Sequence, residues 1–165
     1  MKRTNHKTRI LFVCLGNICR SPAAEEIMRQ MVEQKQMSHL ISTDSAGIGG
    51  WHVGQLPDIR MRKHGARHGY QFMSRARQFG ADDFDHFDLI VGMDRDNVDE
   101  IKAKARSPYD LGKVVCMADY LQHHPMHHEV PDPYYGNDQG FELVIQLLED
   151  ACQGLLLHVM SQYGM

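Results

Sequence analysis

A cysteine and an arginine separated by five residues are the pair in this sequence that could do covalent chemistry. Cys14 ends an apolar run, and Arg20 follows a loop with Gly16 and Asn17, which readily accept the positive φ angles of a tight curl. The N–H groups of such a loop, and of a helix that begins after it, converge on one point and bind an anion. These donors and the charge of Arg20 favour a reactive thiolate at Cys14. The pattern predicts a nucleophile inside a phosphate-binding loop.

The residues that follow the loop support this interpretation. Arg20 carries a planar guanidinium that can bind two oxygens of one phosphoryl group. Ser21-Pro22 is typical of the first turn of a helix. The glycine-lysine-Ser/Thr ending of a Walker-type loop is absent. A structural cysteine at the end of a buried strand is the alternative, but it leaves the loop, the arginine and the helix start unexplained.

A candidate acid lies much further along the chain. Transfer of a phosphoryl group to a thiolate also requires a proton for the leaving oxygen. Two prolines hold Asp132 in a stiff, extended backbone, and Tyr134 and Tyr135 follow where they can line an entrance. An ordinary turn is the alternative for this segment taken alone, because proline, aspartate and glycine are common in turns.

The histidine-rich run over residues 123–128 invites a metal interpretation, because residues four apart can share one face of a helix. Pro125 interrupts that helix, and no carboxylate or cysteine pattern completes a site. We therefore expect a solvated loop, and we predict neither a metal nor another cofactor.

Composition and length indicate one globular domain over residues 1–165. The chain has a mass of 18.9 kDa, with 42% hydrophobic and 24% charged residues, which is ordinary for a soluble protein. The net charge of −3 argues against a general nucleic-acid-binding protein. The polar, basic segment 1–8 is expected to lie loosely at the surface.

Cellular location is inferred from what the sequence lacks. No window has the uninterrupted apolar length of a membrane span, and the basic start runs into a strand rather than a signal-type segment. The four cysteines, at positions 14, 19, 116 and 152, are too scattered for a disulfide framework or a paired zinc pattern. We therefore expect reduced thiols and a cytoplasmic location.

Hydrophobic patterns predict strands that alternate with helices. The predicted strands cover residues 10–13, 38–46, 87–91 and 114–117, and the predicted helices cover 22–36, 57–64, 94–104 and 139–163. The glycine-rich segment 47–54 is interpreted as a flexible loop that holds Trp51 as an aromatic wall beside a pocket, with a glycine-rich phosphate loop as the alternative. The connection over residues 64–72 has no clear pattern.

This order of elements predicts an α/β fold with right-handed βαβ crossovers. We expect a four-stranded parallel sheet with helices on both faces, a three-layer αβα arrangement of the flavodoxin-like or Rossmann-like kind. Ligands in such folds bind beyond the carboxyl ends of the strands, which is where the Cys14 loop lies.

The segments 14–22 and 132–136 closely resemble the low-molecular-weight protein tyrosine phosphatase family. The likeness spans nearly the whole chain and includes residues 44–47, 76–78, 87–94 and 141–142. It implies a two-step reaction without a metal, in which Cys14 attacks phosphorus to form a phosphocysteine. It further implies that Arg20 binds the equatorial oxygens, and that Asp132 protonates the leaving phenol and then activates water.

The resemblance also assigns supporting roles. Backbone N–H groups over residues 15–20 complete the cradle, Ser21 hydrogen-bonds the thiolate, and Asn17 holds the curl through a network that includes Ser45. The implied substrate-binding residues are Leu15, Gly16, Asn17, Ile18, Cys19, Ser21, Trp51, Tyr134 and Tyr135. The implied partners are phosphotyrosine-containing proteins, with a tyrosine kinase as one candidate, and phosphate-like anions. The oligomeric state stays open.

Three features qualify the resemblance. Members that act on phosphoarginine have threonine where this chain has Ile18, which favours phosphotyrosine as the substrate. Cys19 resembles the partner thiol that forms a reversible disulfide with the nucleophile. The family often has a histidine at the position of Ser74, so the phosphate loop is supported differently if that histidine normally joins the Asn17 network.

Other functions remain as alternatives. A phosphoarginine phosphatase has the same fold, and so does a thiol-dependent arsenate reductase, which would need Cys116 and Cys152 to relay a disulfide. A non-catalytic phosphate-binding module is the alternative from another class. It requires neither a nucleophile nor an acid, so the presence of both Cys14 and Asp132 argues against it.

Overall fold

The computed structural model describes residues 7–165. The strands are β1 (Thr8–Cys14), β2 (Ile41–Gly47), β3 (Leu89–Gly92) and β4 (Val114–Cys116). The helices are α1 (Arg20–Gln34), α2 (Ile59–Arg67), α3 (Asp83–His86), α4 (Arg95–Ala103), α5 (Pro108–Leu111) and α6 (Asp138–Gln162), with a 3₁₀ helix over Met117–Tyr120.

The four strands form one parallel sheet in the order β2-β1-β3-β4. Strand β1 is central, so that Phe12 pairs with Ser45 of β2 on one side and with Val91 of β3 on the other. The predicted α/β fold with a four-stranded parallel sheet is confirmed. The order reverses beside β1, which opens a crevice at the carboxyl end of this strand.

Both faces of the sheet are covered, which explains why β1 is apolar at successive positions rather than at alternate ones. Ile10 and Phe12 point into the core that α1 and α6 complete. Leu11 and Val13 point into the opposite core, which includes Phe84 of α3 and also Ile101 of α4. These four side chains of β1, at positions 10–13, are completely buried. This packing fixes the height and direction at which Cys14 leaves the sheet.

Several predicted boundaries were displaced. Thr8, which we placed in a loose segment, is buried and begins β1, while residues 1–6 of that segment lie outside the described residues. Helices α3 and α5 and the 3₁₀ helix were missed, because four residues are too few to display a helical period. The start of α5 is fixed by Ser107, whose side chain accepts the Asp110 N–H.

Among the described residues, α6 alone is long and apolar enough to pass for a membrane span by length and composition. Its most apolar window is 61% buried inside the protein, where Phe141, Leu148 and Leu155 are fully covered. The apolar stripe of α6 is therefore accounted for by packing against the sheet and α1.

Candidate active site

The loop between β1 and α1 has the tight curl that its sequence predicts. Cys14 is the last residue of β1, and Arg20 is the first residue of α1. Asn17 has a φ angle of 59°, in the left-handed region that asparagine tolerates better than most residues. Cys14 and Asn17 are both buried at 2% exposure. The loop is therefore a compact cradle at the carboxyl end of the central strand.

A hydrogen-bond network behind the loop holds this shape. The Oγ atom of Ser21 lies 3.0 Å from the Sγ atom of Cys14. The side-chain amide of Asn17 donates to the hydroxyl groups of Ser21 and Ser45, at 2.8 and 3.0 Å. Its oxygen accepts the backbone N–H of Arg77 at 3.0 Å. Every polar atom of the Asn17 side chain is therefore used to stabilise the strained loop.

The support of Asn17 does not require the histidine that the related family often has at position 74. Here the backbone N–H of Arg77, rather than the side chain of Ser74, holds the Asn17 oxygen. The guanidinium of Arg77 is fixed in turn by Asp44 and Asp83, each at 3.1 Å. The ion pairs of Arg77 with Asp44 and Asp83 thus help to hold its backbone N–H in place beside Asn17.

The network extends to a carboxyl group that the sequence analysis did not identify. The hydroxyl of Ser45 donates to Oε1 of Glu25 at 2.8 Å. Burial, reinforced by the nearby negative charge of Asp44, raises the pKa of Glu25 to about 7, although the Ser45 hydrogen bond opposes this shift. No local pattern marked Glu25, because it occupies the polar side of an amphipathic helix.

Arg20 is buried at 2% exposure and is oriented by groups from two distant parts of the chain. Its Nη1 atom donates to Asp94 at 2.6 Å and to the carbonyl of Val130 at 3.0 Å, and its Nη2 lies 3.5 Å from Asp132. Burial alone would lower the pKa of Arg20, but the charges of Cys14, Asp94 and Asp132 raise it above its ordinary value. The guanidinium therefore stays charged and rigid beside the thiol.

One cavity of about 320 Å³ unites most of the predicted site residues. The predicted residues that line it are Cys14, Leu15, Gly16, Ile18, Cys19, Arg20, Trp51, Asp132, Tyr134 and Tyr135. Asn17 and Ser21 lie behind the loop, where they support it. His52 also lines the cavity and was missed. Asp94 was missed as a partner of Arg20, although an aspartate within two residues of the carboxyl end of a buried strand is a usable signal.

The entrance of the cavity is aromatic and exposed. Trp51 is 68% exposed and Tyr135 is 95% exposed. Tyr134 is half-buried, with its ring nearly perpendicular to that of Tyr135 at a centroid distance of 4.9 Å. The guanidinium of Arg60 lies 5.4 Å from the centre of the Tyr134 ring. A flat apolar group can therefore enter between these rings and place an attached anion on the loop.

The other thiols differ from Cys14 in their surroundings. All four cysteines are free. Burial, reinforced by Asp58, raises the pKa of Cys19 well above its usual range. Burial likewise raises the pKa of Cys152, which lies against the carbonyl of Ala24 in α1. Cys19 is therefore held as a neutral thiol within the same loop as Cys14.

The histidine-rich run lies in a loop. His124 approaches Asp150, with Nδ1 at 2.7 Å from Oδ2, and His123 and His128 face solvent. Within residues 7–165, no three His, Cys, Asp or Glu side chains are grouped so that they could hold a metal ion. The carboxylate of Asp150 also accepts the backbone N–H groups of Gln122 and His123, so this cluster fixes the loop to α6.

Several known proteins resemble this chain in sequence and in fold. Residues 9–163 match the family model described as low molecular weight phosphotyrosine protein phosphatase. A Synechocystis protein named as a low molecular weight protein-tyrosine-phosphatase is 50% identical over 148 residues, which are 90% of this chain and 94% of that protein. A crystal structure of an Entamoeba histolytica protein tyrosine phosphatase superposes with a TM-score of 0.91 at 42% identity, covering 95% of this chain and 99% of that chain. A structure named as a Drosophila arginine phosphatase has a TM-score of 0.84 at 31% identity, with 91% and 96% coverage.

Proposed function

This chain belongs to the low molecular weight phosphotyrosine protein phosphatase family, and on that premise we propose that Cys14 is the nucleophile of its phosphatase reaction. The observation that carries the proposal is the convergence of Cys14, Arg20 and Asp132 on one cavity. Asp132 reaches Arg20 at 3.5 Å from a segment distant in sequence. A nucleophile, an anion-binding cation and a proton donor thus surround the position of one phosphoryl group.

In the first step, the Cys14 thiolate attacks phosphorus and the bond between phosphorus and the phenolic oxygen breaks. The leaving oxygen takes its proton from Asp132, whose carboxyl group faces the same cavity. Arg20 and the loop N–H groups bind the equatorial oxygens, where charge accumulates in the transition state. Ser21 donates its O–H to the sulfur when Cys14 is a thiolate. The product of this step is a phosphocysteine.

In the second step, the Asp132 carboxylate takes a proton from water as the water attacks the phosphocysteine. The bond between sulfur and phosphorus breaks, inorganic phosphate leaves, and the Cys14 thiolate is restored. The exposed position of Asp132 at the cavity mouth gives water access to this step. The arrangement therefore supports both halves of the reaction with one acid-base residue.

We propose phosphotyrosine in proteins as the substrate, because the cavity entrance is built from Trp51, Tyr134 and Tyr135. These rings suit a phenyl group, and Ile18 adds an apolar surface to the cavity wall. Phosphoarginine is the alternative substrate on this fold. We expect the protein to hydrolyse phosphotyrosine peptides with a higher kcat/KM than phosphoarginine peptides, and Ile18→Thr to narrow that ratio. A parent protein that prefers phosphoarginine would refute the substrate assignment.

We further propose that residues 1–165 form one catalytic domain that works in the cytoplasm, where a reduced Cys14 persists. A tyrosine kinase is one candidate among its phosphoprotein partners. The arsenate reductase alternative is not favoured, because Cys152 is completely buried in the core and cannot relay a disulfide without local unfolding. Phosphate ester hydrolysis remains the function that uses Cys14, Arg20 and Asp132 together.

Assays of Cys14→Ser, with Cys116→Ser as the matched control, test the proposal. Cys116 lies at the end of β4 and is not among the residues that line the cavity. We expect Cys14→Ser to lose turnover of p-nitrophenyl phosphate, whereas Cys116→Ser retains it. Rapid denaturation at alkaline pH during turnover should trap phosphate on Cys14, detectable by peptide mass spectrometry. Full activity of Cys14→Ser, or phosphate trapped on another residue, would refute the mechanism.

A further inference from the structure

Trp51 owes its position to a glycine two residues earlier. A Cβ atom built on Gly49 would overlap three carbons of the Trp51 indole, Cζ3, Cε3 and Cη2. The six-membered part of the indole therefore rests directly on the backbone of Gly49. Although Trp51 is 68% exposed, this contact holds one face of its ring and turns the residue toward the cavity that it lines.

The backbone beneath the indole is itself attached to the phosphate-binding loop. The N–H of Gly49 donates to the carbonyl of Leu15, and the N–H of Ile48 donates to the carbonyl of Cys14, both at 2.9 Å. Gly47 also packs closely against the loop, because a Cβ there would lie 2.9 Å from the backbone nitrogen of Asn17. The segment 47–49 therefore cannot shift without disturbing the loop, whereas the exposed indole can swing into solvent.

We propose that Gly49 is a positioning residue for substrate specificity: its missing side chain lets the Trp51 indole fold back and form the aromatic wall of the site. The proposal rests on the function proposed above, in which this wall receives the phenyl ring of the substrate. It divides the site into two parts. The loop binds the phosphoryl group, and the wall set by Gly49 binds the ring.

This division predicts which kinetic constants respond to a methyl group on Gly49. In Gly49→Ala the added methyl group displaces the Trp51 indole from the Gly49 backbone. The phenyl ring of phosphotyrosine then loses an aromatic partner. An aromatic pair contributes about 0.5–1.5 kcal/mol, so we expect KM for phosphotyrosine to rise about 2- to 13-fold. The inhibition constant of inorganic phosphate should stay within about twofold, because phosphate contacts only the loop.

A double-mutant cycle shows whether the effect runs through the indole. The set is Gly49→Ala, Trp51→Ala, the double variant, and the matched control Gly80→Ala, whose added Cβ meets no atom within 4 Å. We expect Gly49→Ala to raise KM in the parent but not further in the Trp51→Ala background. An equal rise in both backgrounds, or a matching rise in the phosphate inhibition constant, would overturn the proposal.

Fluorescence tests the same contact without any assay of activity, because Trp51 is the single tryptophan of the chain. We expect Gly49→Ala to increase acrylamide quenching of the unliganded protein relative to the parent and to Gly80→Ala. Unchanged quenching and emission in Gly49→Ala would refute the contact between the Trp51 indole and the Gly49 backbone. This result does not depend on whether the proposed phosphatase function is correct. If Gly49→Ala does not fold, the double variant decides the matter: recovery of the fold in the Trp51→Ala background supports the proposal, and continued misfolding overturns it.

Discussion

The carboxylate of Asp94 holds the guanidinium of Arg20 through a contact of 2.6 Å between Oδ2 and Nη1. Its other oxygen accepts the backbone N–H of Asn97 at 2.7 Å and caps α4. Asp94 lies two residues after Gly92, the last residue of β3, and β3 is the neighbour of β1 in the sheet. One side chain thus links the orientation of the phosphate-binding arginine to the start of a helix.

This link predicts that Asp94→Asn lowers catalytic activity but preserves the cap of α4. Asparagine is as good a cap as aspartate, so α4 should keep its start, but Arg20 loses an ionic partner. A hydrogen bond to a charged group is worth about 1.5–3 kcal/mol, so we expect kcat/KM for p-nitrophenyl phosphate to fall about 10- to 100-fold. Steady-state kinetics and thermal unfolding on the same samples measure the two effects.

The matched control for this variant is Asp110→Asn. Like Asp94, Asp110 forms an ion pair with an arginine, since its carboxylate lies 3.0 Å from Nε of Arg106. Asp110 does not line the cavity. We expect Asp110→Asn to lower the melting temperature without changing kcat/KM. The interpretation of Asp94 is wrong if its asparagine variant keeps full activity, or if both variants lose activity in parallel with stability.

The role of Asp132 predicts a dependence on the leaving group. In Asp132→Asn the leaving oxygen receives no proton, so substrates with basic leaving groups should suffer most. We expect a loss of about 10²- to 10⁴-fold in kcat/KM for phenyl phosphate and a smaller loss for p-nitrophenyl phosphate, whose leaving group is more acidic. A series of substituted aryl phosphates measures this slope.

Asp138→Asn provides the comparison for Asp132. Asp138 is the first residue of α6, its side chain is 83% exposed, and it lies outside the cavity. We expect its asparagine variant to show the same dependence on the leaving group as the parent. A uniform loss across the substrate series in Asp132→Asn would instead indicate that Asp132 acts only by binding substrate or by orienting Arg20.

The buried carboxyl of Glu25 predicts a pH-dependent contribution to stability. Its pKa is raised by burial from 4.5 to about 7, so the folded protein holds this proton more tightly than the unfolded chain does. The stabilisation is therefore complete below pH 4.5 and is lost as the pH rises through about 7. Linkage gives roughly 3 kcal/mol for the full change. We expect Glu25→Gln to be more stable than the parent at pH 8, with a smaller difference at pH 5.

Urea unfolding of the parent and the variant at several pH values between 5 and 8 measures this difference. Glu33→Gln serves as the control, because Glu33 lies on the same helix but its side chain is 64% exposed. This control should not reproduce the pH-dependent gain. If Glu25→Gln and the parent show the same pH dependence, Glu25 does not titrate as a buried acid in the folded protein.

The local architecture of the site could be predicted from the sequence because neighbouring residues determine it. An apolar strand that ends at Cys14, a loop that contains Asn17 and a helix that begins near Ser21 dictate an anion-binding curl whatever surrounds them. Alternating apolar and helical segments likewise predicted a parallel sheet covered on both faces. The short helices α3 and α5 escaped prediction, since a single turn has no period to detect.

Contacts between distant segments were decided by the tertiary structure alone. Asp94 reaches Arg20 because β3 lies beside β1, and Glu25 reaches Ser45 because α1 packs on β2. The sequence predicted that Trp51 forms an aromatic wall of the pocket, but it did not predict that the indole packs on Gly49. That contact depends on how the indole folds back over a backbone that is hydrogen-bonded to the phosphate-binding loop. Sequence periodicity carries information about which face of an element is buried. It carries no information about the order of the strands in the sheet, β2-β1-β3-β4, or about which side chains of distant segments meet.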